Sequence, residues 1–167
     1  NGVVRLSVPP VLIKSYHEYK ISRYTPVDYK KITRDCKITL DLFKSIWELF
    51  PQGEKDMFWF MLFFFGTSTD GSIKARIFLM LTGGGANGKS YFVELIRRSL
   101  GDATEMGYGY KMGLKFLTSP DRMSGNATPD IQPLAHARIV YFSEANKNET
   151  ANVSKIKKLT SGEPINM

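Results

Sequence analysis

Gly83-Gly84-Gly85-Ala86-Asn87-Gly88-Lys89-Ser90 has the spacing G-x-x-x-x-G-K-[ST], and its residue types meet the needs of polyphosphate binding. A triphosphate presents several charged oxygens, all of them hydrogen-bond acceptors. Successive backbone N–H groups in a tight loop form a concave nest for such oxygens. Gly83, Gly84, Gly85 and Gly88 allow positive φ and close backbone approach. Ala86 and Asn87 complete the loop between them. Lys89 stands where an ammonium would reach the terminal phosphates, and Ser90 offers a hydroxyl to Mg²⁺. The chemistry expected of this stretch is the binding of ATP with Mg²⁺.

The loop works only if a strand delivers the chain to it and a helix leaves from it. Ile77-Phe78-Leu79-Met80-Leu81 is a continuous apolar run, as a buried parallel strand requires. From Tyr91 to Leu100 apolar residues recur at 91, 92, 95, 96 and 100, a helical period, and Gly101 follows as a C-cap. That helix would turn its N-terminal N–H groups and the positive end of its dipole toward the phosphates. A glycine-rich turn that merely happens to end in Lys-Ser is the competing reading, and the strand–loop–helix context weighs against it.

Hydrolysis also needs a carboxylate at the end of a neighbouring apolar strand, to hold Mg²⁺ or its water and to orient the attacking water. Arg138-Ile139-Val140-Tyr141-Phe142 is such a strand, and Ser143-Glu144 follows it. Glu144 is the candidate acid/base and, with Ser90, the candidate metal ligand. It lies far enough beyond Lys89 for a helix and a crossover to an adjacent parallel strand. A common form of this motif has Asp before Glu, and here Ser143 takes that place. An ordinary charged residue at a strand end is the alternative for Glu144.

Upstream, Leu42, Phe43, Ile46, Trp47, Leu49 and Phe50 form one apolar helical stripe, broken at Pro51-Gln52-Gly53. Glu54 to Phe65 reads as a second helix with Phe58, Met61, Leu62 and Phe65 at core spacing, Gly66 beyond it, and a turn from Thr67 to Gly71. Residues 101–133 are weakly patterned and rich in Gly and Pro. Downstream, Val153, Ile156 and Leu159 suggest a short helix carrying Lys155, Lys157 and Lys158 and ending at Ser161-Gly162. These lysines are candidate contacts for nucleic-acid phosphates, with a solvated basic helix face as the alternative. The expected organisation is a mixed, partly helical region over 1–70 and an ATPase core over 71–167.

The bulk properties agree with one well-buried core. The chain has 167 residues, 43% hydrophobic and 23% charged, with a formal net charge of +7. The positive excess is spread along the sequence and favours polyanionic partners, nucleic acid first. Cys36 is the single cysteine, which rules out an internal disulfide framework and suits a reducing compartment. His17 and His136 are far apart and have no metal-ligand spacing. Met57 to Phe65 is too short to span a bilayer, which takes about 20 residues of helix, and no signal peptide is visible. The abrupt end at Pro164-Ile165-Asn166-Met167 reads as a fragment of something larger.

Taken in order, the loop with Asn87 before Gly-Lys-Ser, the stretch Leu134 to Glu144 and the stretch Ile156 to Ile165 resemble superfamily 3 helicases, in the branch of primase-helicases of large DNA viruses and some phages. Thr25-Pro26-Val27-Asp28-Tyr29 and Asp41-Leu42-Phe43 resemble the region that precedes the ATPase in those proteins. The resemblance covers most of the chain from about residue 20. It implies an α/β, AAA+-like P-loop NTPase: a parallel sheet with helices on both faces, preceded by a small helical region. It also implies an ATP-hydrolysing DNA helicase that assembles as a homo-hexamer, moves on single-stranded DNA, crosses no membrane and works inside the host cell, in cytoplasm or nucleus, at sites of viral replication. In that family Lys155, Lys157 and Lys158 would precede a pore-facing DNA-binding hairpin. A polar sensor residue and an arginine finger are further implied, and both would fall past Met167, so weak turnover is expected of this stretch alone. Two other readings of the loop stay open: a different P-loop ATPase, such as a packaging motor or a nucleotide kinase, and an assembly module in which ATP only stabilises a nucleic-acid-binding ring.

Overall fold

The computed structural model describes residues 2–14, 17–29, 36–50, 54–71, 76–119, 129–142 and 150–162. The chain opens with a two-stranded antiparallel ribbon, β1 (Val3–Arg5) against β2 (Val11–Ile13), in which Val4 faces Leu12. Two helices follow, α1 (Lys37–Glu48) and α2 (Lys55–Ser68). The helix starts five residues before the expected stripe, at Lys37, and ends at Glu48; of that stripe Ile46 is buried and Trp47 and Phe50 pack against the core, while Leu42, Phe43 and Leu49 are exposed. Its C-terminal carbonyls are closed by a side chain from the next helix. Lys55 Nζ donates to Trp47 O at 2.8 Å and to Phe50 O at 2.7 Å, and lies 4.3 Å from the centre of the Trp47 ring. A cation is favourable at this end of the helix dipole.

α2 runs through Gly66 to Ser68 instead of stopping before that glycine. A helical glycine costs only about 1 kcal/mol relative to alanine. Hydroxyls return to the last turn: Thr67 Oγ1 and Ser68 Oγ both donate to Phe64 O, at 2.8 and 3.0 Å. Phe58, Met61 and Phe65 are buried on this helix, as their spacing predicts, while Leu62 packs at the margin. α2 is apolar around much of its circumference, and Trp59 and Phe63 on it are exposed.

The core is built where these helices meet α3 (Lys89–Leu100), the helix that leaves the glycine-rich loop. Ile46, Phe58, Met61, Phe65 and Phe92 form one buried cluster. Trp47 meets Phe58 edge-to-face at 4.9 Å, and Phe65 meets Phe92 in the same way at 5.0 Å. Such pairs add about 0.5–1.5 kcal/mol beyond area burial. Leu79 and Ile139 pack against the same cluster.

The chain then forms β3 (Gly109–Met112), the short α4 (Lys115–Thr118), a 3₁₀ turn over Pro129–Ala135, β4 (Ile139–Phe142) and α5 (Val153–Ser161). β4 lies where the apolar run predicts it. Its parallel neighbour is β3, with Gly109 opposite Ile139 and Met112 opposite Phe142. β3 comes from the weakly patterned segment in which no strand was legible. Residues 77–81, expected as the parallel strand before the loop, join no ladder among the described residues. The chain is therefore mixed α/β with one parallel pair, and the described residues do not extend that pair into a wider sheet with helices on both faces. No helix among the described residues is long and apolar enough to cross a membrane.

Candidate functional site: the glycine-rich loop

The loop reaches α3 through Gly88, which takes a left-handed conformation at φ 78° and serves as the N-cap residue. A Cβ at this position would stand 2.7 Å from Leu49 Cδ2, so the turn is pressed against the end of α1. Only glycine meets both demands. Ala86 is also left-handed, at φ 57°, a conformation that costs a residue with a Cβ about 1–2 kcal/mol. Local strain of this kind gathers at ligand-binding turns. At Gly84 and Gly85 an added Cβ would meet nothing within 4 Å, so this side of the loop is open.

α3 begins without a side-chain cap and without a carboxylate in its first turn. The initial N–H groups of a helix have no intrahelical partner, and here no side chain takes them up. Lys89 Nζ turns back over the loop and donates to Gly83 O at 3.1 Å, Gly84 O at 3.0 Å and Asn87 Oδ1 at 2.6 Å. Ser90 is exposed in the first turn of the helix. The structure thus gathers Gly83 to Ser90 around one helix terminus. An uncapped terminus, an open glycine edge and an ammonium suit a polyphosphate. ATP bound there would contribute a transferable phosphoryl group, and Ser90 is the described residue suited to its Mg²⁺.

Ser143 and Glu144 lie outside the described residues, as do Glu163 to Ile165 of the third motif. β4 ends at Phe142, two residues before Glu144. Ile139 at its start shares a core with Phe92 of the loop helix, so loop and strand are tied to one hydrophobic cluster. Among the described residues, no group of three or more His, Cys, Asp and Glu is gathered as a metal site.

The three candidate lysines on α5 are placed differently. Lys155 is buried, at 8% exposure, and its Nζ donates to Phe116 O at 2.8 Å and to Ser119 Oγ at 2.9 Å. Its ammonium also lies 4.9 Å from the centre of the Phe116 ring. This lysine joins α5 to α4. Lys157 and Lys158 are exposed. The helix around them ends as predicted, with Gly162 closing it in a left-handed conformation, and at its start the Asn152 side chain accepts from Ser154 N and Lys155 N.

Two arginines escaped the sequence reading as structural pieces. The Arg138 guanidinium lies 4.0 Å from the centre of the Tyr108 ring and donates to Thr69 O, linking β4 to the end of α2. Arg23 Nη1 donates to Ala103 O at 2.9 Å and to Gly107 O at 3.1 Å, while Tyr108 Oη donates to Arg23 O at 2.9 Å. These partners are about eighty residues away in sequence, so no local pattern marks them.

No family model matches the chain. It is 29% identical, over 160 residues and 95% of its length, to a protein of African swine fever virus named as a putative primase. It is 32% identical, over 115 residues and 68% of its length, to a protein of Acanthamoeba polyphaga mimivirus named as a putative helicase. Both relatives are viral proteins, and the chain is homologous to them, as the ordered motifs imply. It spans about 16% of the length of the first of these relatives and 11% of the second.

Proposed function

We propose that this chain is the ATP-binding part of a replicative DNA helicase of the viral primase-helicase kind, in which ATP hydrolysis drives movement on single-stranded DNA. The observation that carries the reading is Lys89, whose ammonium sits over the glycine loop at the uncapped N-terminus of α3. Support comes from the names of the viral relatives, one a putative primase and one a putative helicase. A kinase would need arginines on a closing lid; of the two between the loop helix and Glu144, Arg138 is held by Thr69 and Tyr108, and Arg122 lies outside the described residues.

In this reading the loop N–H groups and Lys89 bind and orient the phosphates. Ser90 holds the metal ion, and Glu144 takes up the proton of the attacking water. A homo-hexameric ring would bring in the groups that complete hydrolysis. Lys157 and Lys158 would meet DNA phosphates without reading sequence, with Lys155 holding their helix in place.

The test is ATP turnover by the full-length protein with and without single-stranded DNA. Stimulation by DNA is expected, with turnover lost in Lys89→Ala, and with nucleotide binding kept but hydrolysis lost in Glu144→Gln. ATP binding without DNA-stimulated turnover would favour a static assembly module, and unwinding that survives Lys89→Ala would remove the loop from the mechanism.

A further inference from the structure

An ammonium has three N–H donors, and Lys89 Nζ has three acceptors in its own loop. A phosphate oxygen therefore gains this lysine only by displacing one of them. Two are backbone carbonyls, of Gly83 and Gly84, which move only with the loop. The third, Asn87 Oδ1, makes the shortest contact at 2.6 Å and belongs to an exposed side chain, which can move without the backbone. It is also neutral, whereas a phosphate oxygen is anionic and adds Coulomb attraction to its hydrogen bond with the ammonium.

A second observation concerns Gly83. Its φ is 140°, and a Cβ there would stand 2.7 Å from Asn87 Nδ2. The Asn87 amide thus occupies the space that a side chain at position 83 would need. Gly84 and Gly85 behave otherwise, with open space where their Cβ would be. The missing side chain at Gly83 leaves room for the Asn87 amide.

From these we infer that Asn87 is a latch for Lys89: its amide, seated against Gly83, holds the ammonium over the loop and yields it when a phosphate arrives. The inference rests on the nucleotide-binding reading of the loop and names a device within it. Asn87 acts through Lys89 and is a positioning residue. A neutral acceptor suits the role, since it aligns the lysine yet gives way to an anion. A carboxylate at position 87 would hold Lys89 with a full charge and repel phosphate as well.

The test is pulse acetylation of the full chain with acetic anhydride, read lysine by lysine by mass spectrometry, beside ATP titrations of the same variants. In nucleotide-free protein, Asn87→Ala should raise the labelling rate of Lys89 roughly three- to tenfold, the factor that corresponds to one hydrogen bond of ordinary net strength. Lys157, on α5, should be unchanged. Gly83→Ala should act in the same direction, because its Cβ evicts the amide, and Asn87→Asp should slow Lys89 below the parent rate. Unchanged Lys89 labelling in Asn87→Ala would overturn the latch, even if ATP binds normally. Failure of the parent chain to bind ATP would instead overturn the nucleotide reading, whatever the labelling shows. Asn87 is exposed, so its alanine variant should fold, and it decides the matter even if Gly83→Ala does not.

Discussion

Glu94 shows how much a single side chain is set by its neighbours along one helix. Its carboxylate accepts from Arg97 Nε and Nη2, each at 2.8 Å, and from Arg98 Nε at 2.9 Å. Hydrogen bonds from Arg97 and then Arg98 lower its pKa from the usual 4.5 to about 2. Arg97 also reaches toward Asp102 at 3.8 Å. A carboxylate depressed in the folded state contributes stability that is present above its unfolded pKa and lost as pH falls through its folded one. The contribution of Glu94 should therefore fade between pH 4.5 and about 2. Thermal melts of Glu94→Gln and the parent chain should converge as pH drops across that window, with the parent the more stable at neutral pH. A constant gap from pH 7 to pH 2 would show that the arginines do not act through the Glu94 charge. These pairs stand at (i, i+3) and (i, i+4), spacings that a helix brings together on one face. The long-range contacts of Arg23 and Arg138 had no such local sign.

At the scale of elements, α5 separates two roles that the sequence left joined. Val153, Ile156 and Leu159 marked a helix, and Ser161-Gly162 marked its end. A run of lysines at 155, 157 and 158 does not say which of them points inward. Lys155 lies on the packed side, where the Phe116 carbonyl and the Ser119 hydroxyl accept its protons. Lys155→Met keeps the aliphatic stem and removes the charge, leaving the carbonyl of Phe116 without this donor. Such a loss costs about 1–3 kcal/mol, readable by chemical denaturation. The salt dependence of single-stranded DNA binding should not change in this variant. Lys157→Ala, by contrast, should reduce the salt slope by about 1 while leaving stability nearly unaltered, as expected for a phosphate contact on a solvated face. A reduced slope in Lys155→Met and none in Lys157→Ala would reverse the assignment.

For the molecule as a whole, the aromatic cluster is the part that makes the loop a fixed site. Phe58 is 1% exposed. It lies edge-on to Trp47, Trp59, Phe50 and Phe43, at centroid distances of 4.9, 5.2, 5.8 and 6.0 Å. Phe65 and Phe92 carry the same packing across to the loop helix. Truncating a buried phenylalanine costs about 3–5 kcal/mol. Phe58→Ala should therefore show a large fall in the denaturation midpoint, whereas Phe63→Ala, on the exposed side of α2, should shift it little. Equal effects at the two positions would mean that the exposed face of α2 is covered in solution. Marginal stability makes the first loss a large share of the total.

By itself the sequence determined what local chemistry and period can determine. The spacing of glycines, Lys89 and Ser90 specified a glycine-rich turn at the head of a helix. The 3.6-residue period placed α1, α2, α3 and α5, with errors confined to their ends, and the apolar run at 139–142 placed β4. Only the tertiary structure decided which strand pairs with β4, since β3 and its partner are thirty residues apart and pairing depends on contacts that leave no mark in either segment alone. It also decided that Lys155 faces inward, that Gly88 is pressed on Leu49, and that the space left at Gly83 is filled by Asn87. In each case the residue type was visible beforehand, but its role depended on the atoms that folding brought within a few ångströms of it.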